Sequence, residues 1–387
     1  MFAERTNWNL AGNRLSEALA RHRASGKRLL DLTASNPTEC GFAYDGEMIL
    51  AALRNRAALR YEPNPKGLQS ARLAVTEYYS ALGARVSADD IFLTTSTSEA
   101  YSYVSRLLCN PGDELLIPAP SYPLFSFLAD VLDVKLVRYP LVYDHGWQID
   151  FHSLREAATP RTRGVIVVNP NNPTGHFVKA NESRALNDIC AERDLAIIAD
   201  EVFLDFGLGA PPLTLATNNH ALTFVMSGLS KVAGLPQMKM AWLVANGPAT
   251  LKTQAIEKLE IIADTYLSPN APVQLAVPSF LEQRGGFQKQ LMTRVRRNLE
   301  ELDRQLAAQK NCSRLQVEGG WYVVLRVPAT RSDEELTLIL LESRDVYVHP
   351  GHFFDFPTDG YLILSLIAGE DEFAEGVHRI VELASSS

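Results

Sequence analysis

Gly164-Val-Ile-Val-Val-Asn-Pro-Asn-Asn-Pro-Thr-Gly175 is the stretch from which the fold is read. Val165–Val168 is a short β-branched run bounded by turn residues, the pattern of a strand buried on both faces. Beyond it two prolines fix φ and remove backbone donors, while Gly175 can take a positive φ. Such a loop can hold the Asn172 amide rigidly at the mouth of the strand. Outward from it, similar apolar runs recur at Ile91–Thr95, Glu114–Ile117, Ala196–Ala199, Leu222–Met226 and Met240–Ala245. Helix-like stretches such as Glu99–Cys109 and Glu182–Arg193 lie between several of them. This alternation predicts an α/β fold, a mostly parallel sheet sandwiched by helices.

The C-terminal third reads differently. Glu282–Gln309 is a long charged helical pattern, followed by strand-like Trp321–Val327 and Tyr361–Ile367 and by helices around Asp333–Arg344 and Asp371–Ala384. The mix predicts a smaller α+β domain, joined by the N-terminal segment, with a boundary near residue 275. The expected division is 46–275 for the large domain and 1–45 plus 276–387 for the small one.

Composition narrows the function. The 387 residues carry a net charge of -8, which argues against nucleic acid as a partner, because phosphate backbones are bound by surplus Lys and Arg. No apolar stretch approaches the roughly eighteen residues that cross a bilayer, and the N-terminus MFAERTNWNL lacks the features of a signal peptide. Cys40, Cys109, Cys190 and Cys312 are far apart, suggesting reduced thiols and a cytoplasmic setting. His349 and His352 flank Pro350-Gly351, a loop rather than a helical metal-ligand spacing, so no metal is expected.

In open parallel α/β sheets, ligands bind at the carboxyl ends of the strands. The polar, reactive residues of this chain fall there: Asn172, Asp200-Glu201, Ser227-Gly-Leu-Ser-Lys231, and Ser96-Thr97-Ser98 before a helix that begins near Glu99. Singly, each has a plain structural use as a turn cap, a helix cap or a surface lysine. Together, a carboxylate, an amide, a lysine and a hydroxyl-rich helix start suited to phosphate converge on one ligand site.

These residues resemble the fold-type I pyridoxal-phosphate family, specifically its class I/II aminotransferases of the aspartate-aminotransferase type, from about Leu30 to Ile380. The strongest matches are Asn169–Gly175, Asp200-Glu-Val-Phe203 and Ser227–Trp242. Weaker ones are Tyr61–Gly67, Pro118–Pro123 and His349–Phe353. The resemblance implies pyridoxal 5'-phosphate as cofactor, with Lys231 holding it as a Schiff base and moving the α-proton as general base. It implies Asp200 at the pyridine nitrogen, Asn172 at the ring's 3' oxygen and Tyr122 stacked on the ring. Ser96, Thr97 and Ser98 would bind the phosphate, assisted by Ser230 and Lys239, and Tyr61 would reach the neighbouring subunit's phosphate in a homodimer.

Three positions depart from the family pattern. Phe203 stands where many relatives have a tyrosine, and Lys239 where many have arginine, a point charge in place of a bidentate fork. Ile363 stands where aminotransferases usually carry the arginine that grips the substrate's α-carboxylate. Either another group takes over, a displaced Arg or backbone donors near Ser35 and Asn36, or the donor has no α-carboxylate there; the first is favoured. The expected activity is transfer of an amino group between an amino donor and a keto acceptor. A lyase or decarboxylase using the same cofactor is the alternative, and a non-catalytic sensor a more distant one.

Overall fold

The computed structural model describes residues 1–209 and 213–385. Fourteen strands are present among them. Leu30–Asp31 is β1; Ile91–Thr94, Glu114–Ala119, Lys135–Tyr143 and Trp147–Ile149 are β2 to β5. Thr162–Val168, Ala196–Asp200, Thr223–Gly228 and Ala241–Asn246 are β6 to β9. In the C-terminal part Ser313–Arg314, Tyr322–Arg326, Val346–Tyr347, His349–Pro350 and Tyr361–Ser365 are β10 to β14.

Strands β2 to β9 form one sheet in the order β2-β9-β8-β7-β6-β3-β4-β5. β8, β7, β6, β3 and β4 run parallel, whereas β9 and the edge strand β5 are reversed. β2 is antiparallel to β9 and so shares the majority direction. The continuous apolar runs follow from burial on both faces. In β7, Ile197 and Ala199 join one hydrophobic core while Ala196 and Ile198 join the other, the two-residue alternation of a strand that meets helices above and below. The carboxyl ends of β2, β3, β6, β7 and β8 therefore open along one edge.

A second sheet, β10-β11-β14-β13, is antiparallel throughout. The N-terminal segment is tied to this part of the chain by the parallel pair β1 and β12, Leu30 opposite Val346. The helix expected from Glu282 begins earlier, at Ala271, and runs to Ala307. Asn270 caps it by accepting from Val273 N at 3.1 Å, and Val273, Ala276, Val277 and Phe280 are buried at helical spacing. Pro278 inside the helix obscures that pattern in the sequence. β4 and β5 went unread for a related reason: β5 is the sheet edge and β4 lies next to it, both with mixed exposure.

Candidate active site

At the carboxyl edge, Thr97, Ser98, Tyr122, Asn172, Asp200 and Lys231 border one cavity of about 220 Å³. Larger grooves of about 660 and 570 Å³ lie elsewhere on the surface, without a comparable convergence of buried reactive groups.

Lys231 follows β8 in the short helix Leu229–Val232. The turn is tight: a Cβ on Gly228 would come within 2.9 Å of the Ala241 Cβ, on the neighbouring strand. Lys231 Nζ donates to the Ser35 carbonyl at 3.4 Å and stands 4.6 Å from the centre of the Trp321 ring and 5.5 Å from that of Phe203. Burial disfavours the ammonium and lowers the lysine pKa from 10.5 to about 8, with Asp200 pulling the other way.

Asp200 ends β7. Its carboxylate accepts from Val202 N at 3.1 Å and from the Tyr101 hydroxyl at 3.2 Å. Burial pushes its pKa up to about 6, against those two donors and the Lys231 charge. It remains mostly ionised at neutral pH. Tyr101 lies one helical turn beyond Thr97, on the same side of the helix Thr97–Leu108.

The loop after β6 is held from inside. Asn169 accepts from Val178 N and donates to Glu201 Oε1 and the Leu213 carbonyl, and Asn171 accepts from the Thr174 hydroxyl at 2.9 Å. Gly175 has a φ of +70°, and a Cβ there would meet Gly319 O at 2.6 Å. The Asn169-Pro170 and Asn172-Pro173 bonds are cis. Asn172 borders the cavity, with its buried Oδ1 lacking any hydrogen-bond partner among the described residues.

Glu201, adjacent to Asp200, faces the opposite way, into the core. Its carboxylate accepts from Asn169 Nδ2 at 3.2 Å, Leu215 N at 2.8 Å and the Thr214 hydroxyl at 2.6 Å. Its carbonyl accepts from the Ser227 hydroxyl at 3.4 Å. One side chain and its own carbonyl thus cross-link the mouths of β6, β7 and β8. Burial raises the Glu201 pKa to about 7.

The other sequence candidates fall into two groups. Ser35, Phe203 and Ser230 border the cavity. Ser96 does not, because its hydroxyl caps the helix by accepting from Glu99 N at 3.1 Å. Lys239 is exposed, in a left-handed conformation, and is not among the cavity's residues. Tyr61 is 78% exposed and borders the separate groove of about 570 Å³. Asn36 caps a turn by accepting from Thr38 N and the Thr38 hydroxyl. Ile363 is fully buried in β14. Sequence reasoning missed Tyr101 and Tyr322, which also border the cavity.

Comparison with known proteins gives the family and the fold. Residues 41–373 match the family model for aminotransferase class I and II. The chain is 30% identical to the glutamate-pyruvate aminotransferase of Escherichia coli, over 97% of this chain and 98% of that protein. It is 29% identical to the alanine aminotransferase of Mycobacterium tuberculosis, over 93% and 86%. Among solved structures, an aminotransferase from Escherichia coli superposes with a TM-score of 0.86 at 27% identity, covering 100% of this chain and 98% of that one. An alanine aminotransferase from Pyrococcus furiosus, at 22% identity, shares the fold with a TM-score of 0.89 over the whole of both chains.

Proposed function

The chain belongs to the class I and II aminotransferase family and is an aminotransferase, and on that premise we propose that the Lys231–Asp200 cavity is its active site, built around pyridoxal 5'-phosphate. The observation that carries this reading is the pairing, in one cavity, of a half-buried lysine of lowered basicity with a half-buried carboxylate.

The residues fit that cofactor. Asn172 borders the cavity, where its Nδ2 amide can donate to a ring oxygen. Thr97 and Ser98 begin a helix whose first N–H groups have no partner within it, a ready anion site for the phosphate. Ser230 adds a hydroxyl, and Tyr122 an aromatic wall. Ser96 fixes the helix start, and we assign Lys239, which lies outside the cavity lining, a supporting charge for the phosphate.

When bound, the cofactor supplies the electron sink for the pair left as a C–H bond beside nitrogen breaks. Asp200, ionised, holds a proton on the ring nitrogen and so maintains that sink. Lys231 supplies the amine that attaches the cofactor, and its Nζ then takes and returns the α-proton. A lysine of pKa about 8 is neutral in roughly a tenth of molecules at pH 7, against about one in three thousand at 10.5. The amino group passes from an amino-acid donor to a keto acid, as the names of the relatives suggest.

The working unit we propose is a homodimer, with the exposed Tyr61 reaching the site of a second copy. Residues 46–275 would carry the cofactor, while 1–45 and 276–387 would close over it. The test is reductive: borohydride treatment of the loaded enzyme, then peptide mapping, should place the pyridoxyl label on Lys231. A label on another lysine, with Lys231 unmodified, would overturn the assignment.

A further inference from the structure

Tyr322 stands opposite Ser365 in the register of β11 and β14, and Val324 stands opposite Ile363. Directly paired residues, and residues two apart on one strand, share a face of the sheet. Tyr322, Val324, Ile363 and Ser365 are therefore on one face, the face from which Tyr322 reaches the cavity. Ile363 and Val324 are buried and offer no donors, and the Ser365 hydroxyl is committed to the Ala34 carbonyl at 2.5 Å.

Tyr322 differs from its neighbours. It is only 7% exposed, it borders the cavity together with Lys231 and Ser35, and no partner for its hydroxyl is present among the described residues. Because the residue borders the cavity, this uncommitted hydroxyl is free to meet a ligand there. Burial raises the phenol's pKa well above 10, which keeps it a neutral donor at any working pH. Phe203, which packs against it with ring centres 6.4 Å apart, is apolar. The phenol thus adds a neutral donor on the Phe203 side of the cavity, where Lys231 Nζ also lies.

We propose that Tyr322 is a specificity-determining residue, its hydroxyl donating to the carboxylate beside the reacting carbon of an α-amino or α-keto acid. The assignment rests on the active-site reading given above. Because the donor is neutral, it offers one hydrogen bond where a guanidinium would offer a charged fork, and the carboxylate adds only modestly to binding.

The experiment compares cofactor-loaded wild type with Tyr322→Phe. Half-reactions are followed by cofactor absorbance for L-phenylalanine and for phenethylamine, the same skeleton without the carboxylate. Binding of 3-phenylpropanoate is measured by calorimetry. Loss of one hydrogen bond to a charged acceptor should raise half-saturation for the amino acid about tenfold and weaken 3-phenylpropanoate similarly, leaving the amine within about twofold. Equal losses for amino acid and amine would overturn the proposal. So would unchanged binding of all three ligands with a displaced absorbance titration, which would put the phenol at the ring instead. Borohydride labelling separates the two levels of inference. Normal label on Lys231 with unchanged preference removes only the role of Tyr322, whereas no label in either protein removes the active-site reading and this proposal with it.

Discussion

Replacing Lys231 by methionine should abolish transamination and yet stabilise the cofactor-free protein. Burial lowers the lysine pKa from 10.5 to about 8, which corresponds to about 3 kcal/mol forfeited by the fold in holding the ammonium. Methionine has similar length, no charge and suits the Trp321 and Phe203 rings that face Nζ. Part of the gain is offset, because Asp200 loses the positive charge that helps keep it ionised. A net gain of about 2 kcal/mol at pH 7 is expected. The sign with pH follows from proton counting. Between about 8 and 10.5 the unfolded chain binds more protons at this residue than the folded chain, so wild-type stability rises with pH there. Below about 8 the full penalty is present. Urea midpoints of the cofactor-free proteins should therefore favour Lys231→Met at pH 7 and converge towards pH 10.5. A variant no more stable than wild type at pH 7, or a gap that persists unchanged at pH 10.5, would refute the claim that burial holds this amine in a less basic state.

Asp200→Ala should lose far more of the proton-transfer rate than of cofactor occupancy, read by stopped-flow absorbance on fully loaded protein. Near-normal half-reaction rates would contradict the role given to it. Phe203→Tyr places a hydroxyl where the ring oxygen is expected, and a donor there favours the ionised form. The absorbance titration of the loaded variant should move to lower pH, and an upward or absent shift would count against that position. Glu201→Ala leaves the donors of Asn169, Leu215 and Thr214 without their buried acceptor, a loss of about 3–6 kcal/mol in urea unfolding. In wild type, the Glu201 pKa raised to about 7 gives a contribution that is greatest below about 4.5 and lost as pH rises to about 7. Glu201→Gln should remove that slope.

The sheet was legible because its inner strands are buried on both faces and so read as unbroken apolar runs, β7 and β8 most plainly. Lys231, Asp200 and Asn172 were legible because each follows such a run directly, where a parallel sheet must open. The same double burial conceals which way a side chain points. Trp321, Tyr322 and Val323 are all buried, so no alternation in the sequence tells that Tyr322 meets the cavity while its neighbours fill the core. Register against β14 supplies that information, and register is a property of pairing between distant segments. Tyr101 is a different omission: its place four residues after Thr97 puts it on the cavity side of the helix, and helical spacing alone could have found it.

Asp200 and Glu201 show why adjacent carboxylates diverge in role. Successive residues at the end of a strand point to opposite sides, so only one of the pair can enter the cavity. Asp200 keeps two hydrogen bonds, to Val202 N and the Tyr101 hydroxyl, and remains open to a ligand. Glu201 has its carboxylate filled by Asn169, Leu215 and Thr214 and has no accessible surface. A buried carboxylate is unfavourable by itself, and an apolar residue of the same size could fill the space. It could not, however, accept from the Asn169 side chain, and Asn169 begins the loop that presents Asn172. Its carbonyl meanwhile receives the Ser227 hydroxyl, at the start of the turn that carries Lys231. The three residues that would hold the cofactor come from three strands, and the strands are joined at their mouths by this one buried acid. Its cost in stability is offset by the fixed spacing of the groups around it.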